Sequence, residues 1–190
     1  MILFLISLYI CIILHELGHL ITAKLCGCGV PIYSVGFGRP ILKKKIGNTV
    51  YQLGWIPFGG YCQLEDETSY SEKTTGFTNL SYRKKIIISI AGCTINILTG
   101  LIIGLIGHYY HNYNMLYFGL LSTALGLTNL IPLIPCLDGG YLLFFPLCTK
   151  IWGKEKGIII FGKLVSISFK IVMILNFLCI PWIIKNWRKL

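Results

Sequence analysis

The chain has 190 residues, 55% of them hydrophobic and 13% charged, with a mean hydropathy of +0.72 and a formal net charge of +10. Soluble domains carry about 25% charged residues, so this composition excludes an ordinary aqueous domain and indicates an integral membrane protein. The basic residues flank apolar runs and form no patch interleaved with aromatics, which fits the lipid bilayer as partner and no nucleic acid.

Four apolar stretches, 2–25, 86–107, 115–135 and 158–184, are long enough to cross a hydrocarbon core that needs about 20 residues of helix. The first lacks a basic leader and a small-residue cleavage site, and its apolar run continues to Ala23, so it reads as a retained helix and not a signal peptide. Between the first two spans, 30–64 changes to short β-prone pieces punctuated by glycine, with Lys43, Lys44, Lys45, Gly47 and Asn48 at a hairpin turn. The pieces around Trp55, Ile56, Pro57 and Phe58 suggest a hairpin that dips into the membrane. The fold class expected is an α-helical polytopic membrane protein of about four transmembrane helices, with a small membrane-associated β-hairpin or sheet between the first two. All of it forms one membrane-embedded domain, 1–190.

The segment 27–85 carries Arg39, Lys43, Lys44, Lys45, Lys73, Arg83, Lys84 and Lys85 against Glu65, Asp66, Glu67 and Glu72, which places it in the cytoplasm. The next connection holds His108, Tyr109, Tyr110, His111 and Tyr113 without a charged residue, as expected of an outer turn. Lys185, Arg188 and Lys189 then fall outside, against the same rule, unless the final stretch re-enters without crossing. Lys163 and Lys170 interrupt that stretch and are expected to snorkel. Of eight cysteines, Cys11, Cys93, Cys136, Cys148 and Cys179 lie in apolar runs and read as small hydrophobes. Cys26 and Cys28, with no second pair, read as packing residues rather than a zinc knuckle.

Chemistry concentrates in the first helix, at His15-Glu16-Leu17-Gly18-His19. Histidines four apart project from one helix face, and H-E-x-x-H is a zinc pincer with its general base between the ligands. Three ionisable residues in one turn of a membrane helix are costly, at about 2.5–3.5 kcal/mol for a central Asp, and mark a functional site. A catalytic zinc takes three protein ligands. Five of the seven acidic residues lie in loops, which leaves Asp138, where Pro132, Pro135, Gly139 and Gly140 can aim a carboxylate. The competing role for Asp138 is an N-cap of a helix over 141–148. Glu16 is the candidate catalytic base, and the amide of Asn129 or Asn96 is a candidate donor to the oxyanion or the substrate backbone. An Asn in a membrane helix can equally serve as interhelical glue.

These residues resemble the site-2 protease family of intramembrane zinc metalloproteases, in particular the bacterial members that cleave anti-sigma factors. The resemblance rests on His15-Glu-Leu-Gly-His19, Val35-Gly-Phe-Gly38, Ile56-Pro-Phe-Gly-Gly-Tyr61, Ala91-Gly92 with Asn96, and Leu137-Asp-Gly-Gly140. It implies Zn2+ on His15, His19 and Asp138, catalysis by Glu16, Asn129 beside the substrate, and an active site in the membrane toward the cytoplasmic side, in a bacterial cell membrane. It also implies that the hairpin around Gly59, Gly60 and Tyr61 pairs with an unwound substrate strand; the alternative is that the hairpin only packs the site and excludes water. Two departures stand out. One extra residue separates Asn129 from Asp138, and only 108–114 stands where larger bacterial members carry PDZ domains, so substrate gating by an outer domain is either absent or delegated to a regulatory membrane partner. The substrates implied are transmembrane segments of membrane proteins or remnant signal peptides. The reading from another class is a non-catalytic zinc-binding membrane protein acting in transport or sensing, which should spread its polar positions through several spans. Here they converge.

Overall fold

The structure, a computed structural model, describes residues 2–67 and 75–186. Glu72, Lys73, Arg188 and Lys189, and the side chain of Lys185, lie outside that description, so the charge conflict at the C-terminus is left where the sequence put it. The described chain runs α1 (Ile2–Leu25), β1 (Ile32–Ile46), β2 (Thr49–Gln63), a single 3-10 turn (Phe77–Asn79), α2 (Tyr82–Tyr109), α3 (Tyr113–Asn129), α4 (Asp138–Trp152) and α5 (Lys154–Asn186). It is a mostly helical protein with one small antiparallel sheet.

Two helices, Leu3–Leu25 with 23 residues and Tyr82–Tyr109 with 28, are long and apolar enough to cross a membrane. Leu98, Leu101, Ile102 and Leu105 stand exposed along α2, the outer surface that lipid would solvate and water would not. The third expected span, 115–135, is shorter than its apolar run: α3 ends at Asn129, and 130–137 are turns. Pro132 and Pro135 account for this, since each lacks an amide donor and Pro disfavours helix in the residue before it. The helix expected at 141–148 extends at both ends to Asp138–Trp152. Lys163 and Lys170 are exposed on α5.

Small residues bring the helices together. A Cβ added at Gly18 of α1 would stand 2.9 Å from the Ala91 carbonyl oxygen of α2, and one at Gly119 of α3 would meet Gly104 Cα at 2.5 Å. Close backbone approach through such residues is how helices associate where no hydrophobic effect drives them. The α2–α3 corner is closed by Asn112, whose side-chain oxygen accepts from the Asn114 and Met115 amides at 3.1 and 3.2 Å.

The hairpin turns at Gly47–Asn48, and both strands bend. The stretch Ile32–Val35 pairs with Gly60–Gln63 on one side and with Val50–Leu53 on the other. Gly36 and Gly38, at φ 87° and 84°, sit at the bend in β1, a backbone conformation that costs a side-chain-bearing residue more than glycine. The consequence for the site is that Gly60–Gln63 is the outer strand of the pairing, next to α1. The core joins α1, the sheet and the α4–α5 pair through Leu20, Tyr33, Phe77, Ile88, Tyr141 and Phe161.

Candidate metal centre

His15 and His19 sit one helical turn apart on α1, on the face turned toward α2 and the start of α4. His15 Nε2 lies 3.0 Å and His19 Nε2 3.2 Å from Asp138 Oδ2, and the two Nε2 atoms are 3.3 Å apart. Among the described residues this is the one cluster of three metal-ligating side chains. The arrangement fits a metal ion closely. Three ligands at about 2.0–2.1 Å from a tetrahedral zinc stand about 3.3 Å from one another. Three lone-pair atoms facing one another at this spacing also require a proton or a cation between them. His15, Glu16 and His19 are buried, at 8, 9 and 9% exposure, so the site is dry enough for charge to matter.

Each part of the centre is held by a different element. Asp138 is the first residue of α4, with Leu137 at the N-cap and no side-chain cap bond. The capping role is therefore not what its carboxylate does; it reaches across to the histidines of α1, 119 and more residues away. Ile88 of α2 accepts a hydrogen bond from His19 Nδ1 at 2.8 Å through its backbone carbonyl. That bond fixes the proton on Nδ1 and leaves Nε2 free for a metal. Gly92 makes room for the ring: a Cβ there would overlap His19 Nε2 and approach the His15 carbonyl oxygen to 2.8 Å.

A cavity of about 230 Å³ opens onto this cluster, with His15, Glu16, His19, Gly60, Glu67 and Asp138 on its wall. Glu16 lies against the outer strand, where a Cβ at Gly60 would stand 2.9 Å from Glu16 Cγ and 3.4 Å from Oε1. Tyr61, also at the wall, is anchored: its hydroxyl accepts from Gln52 Nε2 at 2.8 Å, and its ring stacks on Phe37 at 6.3 Å between centroids. Gly59, at φ 99°, packs against the Phe37 ring and is not on the cavity wall.

The two asparagines separate in space. Asn129 ends α3 and is not on the wall of this cavity. Asn96 is wholly buried behind His15, with its Nδ2 3.4 Å from His15 Nδ1. Sequence reasoning missed three contributors. Cys93, expected to act as a small hydrophobe, donates its thiol to Asp138 Oδ2 at 3.1 Å. Ile88 contributes only its carbonyl, which no sequence pattern marks. Glu67 was placed in a cytoplasmic loop as one charge among several, yet it reaches the cavity, where burial pushes its carboxyl up to about 7. Nearby Asp138 and Glu16 push in the same direction, opposed by a hydrogen bond from the Leu64 backbone and by His19. Cys11, Cys26, Cys28, Cys62, Cys93, Cys136 and Cys148 are free thiols.

The sequence profile of Peptidase family M50 matches residues 3–117, more than half of the chain and the part that carries both histidines, Glu16, the sheet and Asn96. The chain belongs to this family, that of the site-2 proteases. Among curated relatives, a candidate zinc metalloprotease of Chlamydia pneumoniae is 38% identical over 105 residues, 49% of this chain and 17% of its own. One from Neisseria meningitidis is 39% identical over 98 residues, covering 50% and 22%, and one from Borreliella burgdorferi 37% over 124 residues, covering 57% and 28%. The matched stretch thus spans less than a third of each of these relatives. Among solved structures, the site-2 protease from Methanocaldococcus jannaschii matches with a TM-score of 0.52 and 22% identity, over 96% of this chain and 67% of that one. That likeness shows a shared fold.

Proposed function

We propose that this M50-family protein is an intramembrane zinc metalloendopeptidase, with Zn2+ held by His15, His19 and Asp138 and with Glu16 as catalytic base. The observation that carries the reading is the convergence of three ligand atoms within 3.3 Å of one another beside a buried glutamate, on a helix apolar enough to cross a membrane. The names of the relatives support zinc and proteolysis.

Zinc in such a site lowers the pKa of a bound water toward about 7 and polarises a carbonyl. Glu16 then has the task of taking the proton from the attacking water and passing it to the leaving amine. Its place between the histidines and Gly60 suits that task. The strand Gly60–Gln63 is on the outside of its pairing and lies over Glu16, so an unwound substrate segment adding to it would pass its carbonyls by the histidines. A substrate helix hides its carbonyls in its own hydrogen bonds, and strand addition offers partners for the groups it must release. Gly60 admits that approach because a side chain there would collide with Glu16. Asn129 is retained as a substrate-side donor on the strength of the family resemblance.

In this reading α1, α2, α3 with the turns that follow it, and α5 cross the bilayer as one domain, with the basic 27–85 segment and the active site on the cytoplasmic side of a bacterial cell membrane. The substrates are transmembrane segments of membrane proteins or remnant signal peptides, presented with or without a regulatory membrane partner.

The experiment is a comparison of the native chain with Glu16→Gln in a reconstituted cleavage assay and in the membrane proteome of the host. The variant keeps the zinc ligands and loses the base, so cleavage should fall by about 10²–10⁴-fold while zinc stays stoichiometric, and uncut single-span proteins or peptides should accumulate. Equal cleavage or identical proteomes would sink the catalytic reading and leave a zinc-binding membrane protein.

A further inference from the structure

The two histidines differ in what holds their outer ring nitrogens. His19 Nδ1 meets the Ile88 carbonyl, which can only accept, so its proton has one place to be. His15 Nδ1 meets the carboxamide of Asn96 at 3.4 Å, across the α1–α2 contact. As that amide is oriented, its Nδ2 faces the ring, and its Oδ1 is buried with no hydrogen-bond partner among the described residues. An orphaned buried acceptor is unusual in a native protein. Amide oxygen and nitrogen exchange places by a half-turn about the terminal torsion, which is broad and two-fold.

Proton accounting selects one of the two orientations. A neutral imidazole that ligates a metal through Nε2 carries its proton on Nδ1, and a metal-bound histidine nearly always gives that proton to an acceptor behind it. With Nδ2 toward the ring, donor would face donor in a site from which water is excluded. With Oδ1 toward the ring, the orphaned atom acquires a donor and His15 is fixed in the form that can ligate. Asn96 is well placed to act as such a fixed point. It is 0% exposed, Ser122 Oγ donates to its backbone oxygen at 2.9 Å, and Gly126 of α3 leaves so little room that a Cβ there would stand 3.2 Å from Asn96 Cβ.

We propose that Asn96 is a positioning residue of the metal centre, whose amide oxygen accepts the Nδ1 proton of His15 and thereby directs the Nε2 lone pair to the metal. The proposal rests on the reading of His15 as a metal ligand, and it gives Asn96 a role behind the ligand instead of one on the substrate. It also explains why a membrane helix carries an amide at this depth: the histidine pair needs two acceptors behind it, and the backbone supplies only one.

The test uses the full chain in detergent, with zinc affinity measured against a chelator and with 15N-labelled histidine for NMR detection of which ring nitrogen carries the proton. Asn96→Leu keeps the approximate shape and removes the acceptor; Asn96→Asp keeps an acceptor on either face. Loss of such a partner typically costs 10–100-fold in metal affinity, so Asn96→Leu should bind zinc about 10–100-fold more weakly and lose the single Nδ1–H signal of His15, while Asn96→Asp should recover both to near the native values. Native zinc affinity in Asn96→Leu overturns the proposal. So does equal loss in the two variants, which would mean that the amide serves only to pack the three helices. His15→Ala separates this failure from failure of the underlying reading: if that variant still binds zinc, His15 is not a ligand and both fall; if it loses zinc while Asn96→Leu keeps it, only the role of Asn96 falls.

Discussion

The chain has two closely spaced histidine pairs, and they have opposite fates. His15 and His19 stand four residues apart inside α1, buried, with an amide and a backbone carbonyl behind them, a glycine cut to the shape of one ring, and a carboxylate in front. His108 and His111 stand three apart at the α2–α3 turn, both exposed, with His111 in a left-handed backbone conformation and Tyr109, Tyr110 and Tyr113 exposed around them. Both pairs are closely spaced in the sequence, but only the rings of His15 and His19 meet, at 4.9 Å between centroids. What distinguishes the inner pair is that packing removed water and other elements delivered complementary groups. A metal site is made by the shell around the ligands as much as by the ligands.

The comparison breaks first at the ligands. His15→Ala and His19→Ala should each abolish stoichiometric zinc and cleavage, whereas the double change His108→Ala with His111→Ala should leave both within about two-fold of native, since exposed changes away from a site are usually near neutral. Zinc analysis by mass spectrometry on purified protein decides it; zinc lost from the double variant would show that the turn, and not the buried pair, holds the metal.

A smaller effect sharpens the role of the shell. Gly92→Ala changes no ligand but sets a methyl group against His19 Nε2 and the His15 carbonyl. Either the ring or the α1–α2 contact must shift, so zinc affinity should fall by about 10–100-fold with the helices retained by circular dichroism. Native affinity would show that the helices part readily at this point.

The smallest effect concerns Glu67. In the unfolded chain its carboxyl has its ordinary value of 4.5, and in the folded one burial pushes it up to about 7. Between those values the native state keeps a proton that the unfolded state has lost, so this group makes stability fall as pH rises through the window, with no further loss above it. Thermal unfolding of the native chain and of Glu67→Gln, compared from pH 4.5 to 8, should show a shallower decline in the variant. Parallel curves would mean that Glu67 titrates as it does in water.

The sequence was most informative where the chemistry is local. The turn at Gly47–Asn48 followed from turn residues between β-prone runs, and both α1 and the apolar centre of α2 followed from continuous hydropathy. It was coarser at the third span, where Pro132 and Pro135 read as able to kink or end a helix and the apolar run still extends past them. There the apolar run 115–135 resembles a span, while α3 stops at Asn129, because hydropathy averages over residues and cannot register two missing amide donors. Within the candidate site, Asp138 stood out because few buried carboxylates competed for the role. Cys93 and Glu67 were passed over because a thiol in an apolar run and a glutamate in an acidic loop are ordinary there until the fold turns them toward the same cavity.

By itself, then, the sequence determined that this protein needs a bilayer and that one face of its first helix carries two imidazoles with a carboxylate between them, since a period of 3.6 residues is a property of the backbone and requires no neighbour. Only the tertiary structure decided which remote groups complete that face. Asp138, the Ile88 carbonyl, the Asn96 amide and the notch at Gly92 come from two other helices, and their arrival depends on how closely small residues let those helices approach.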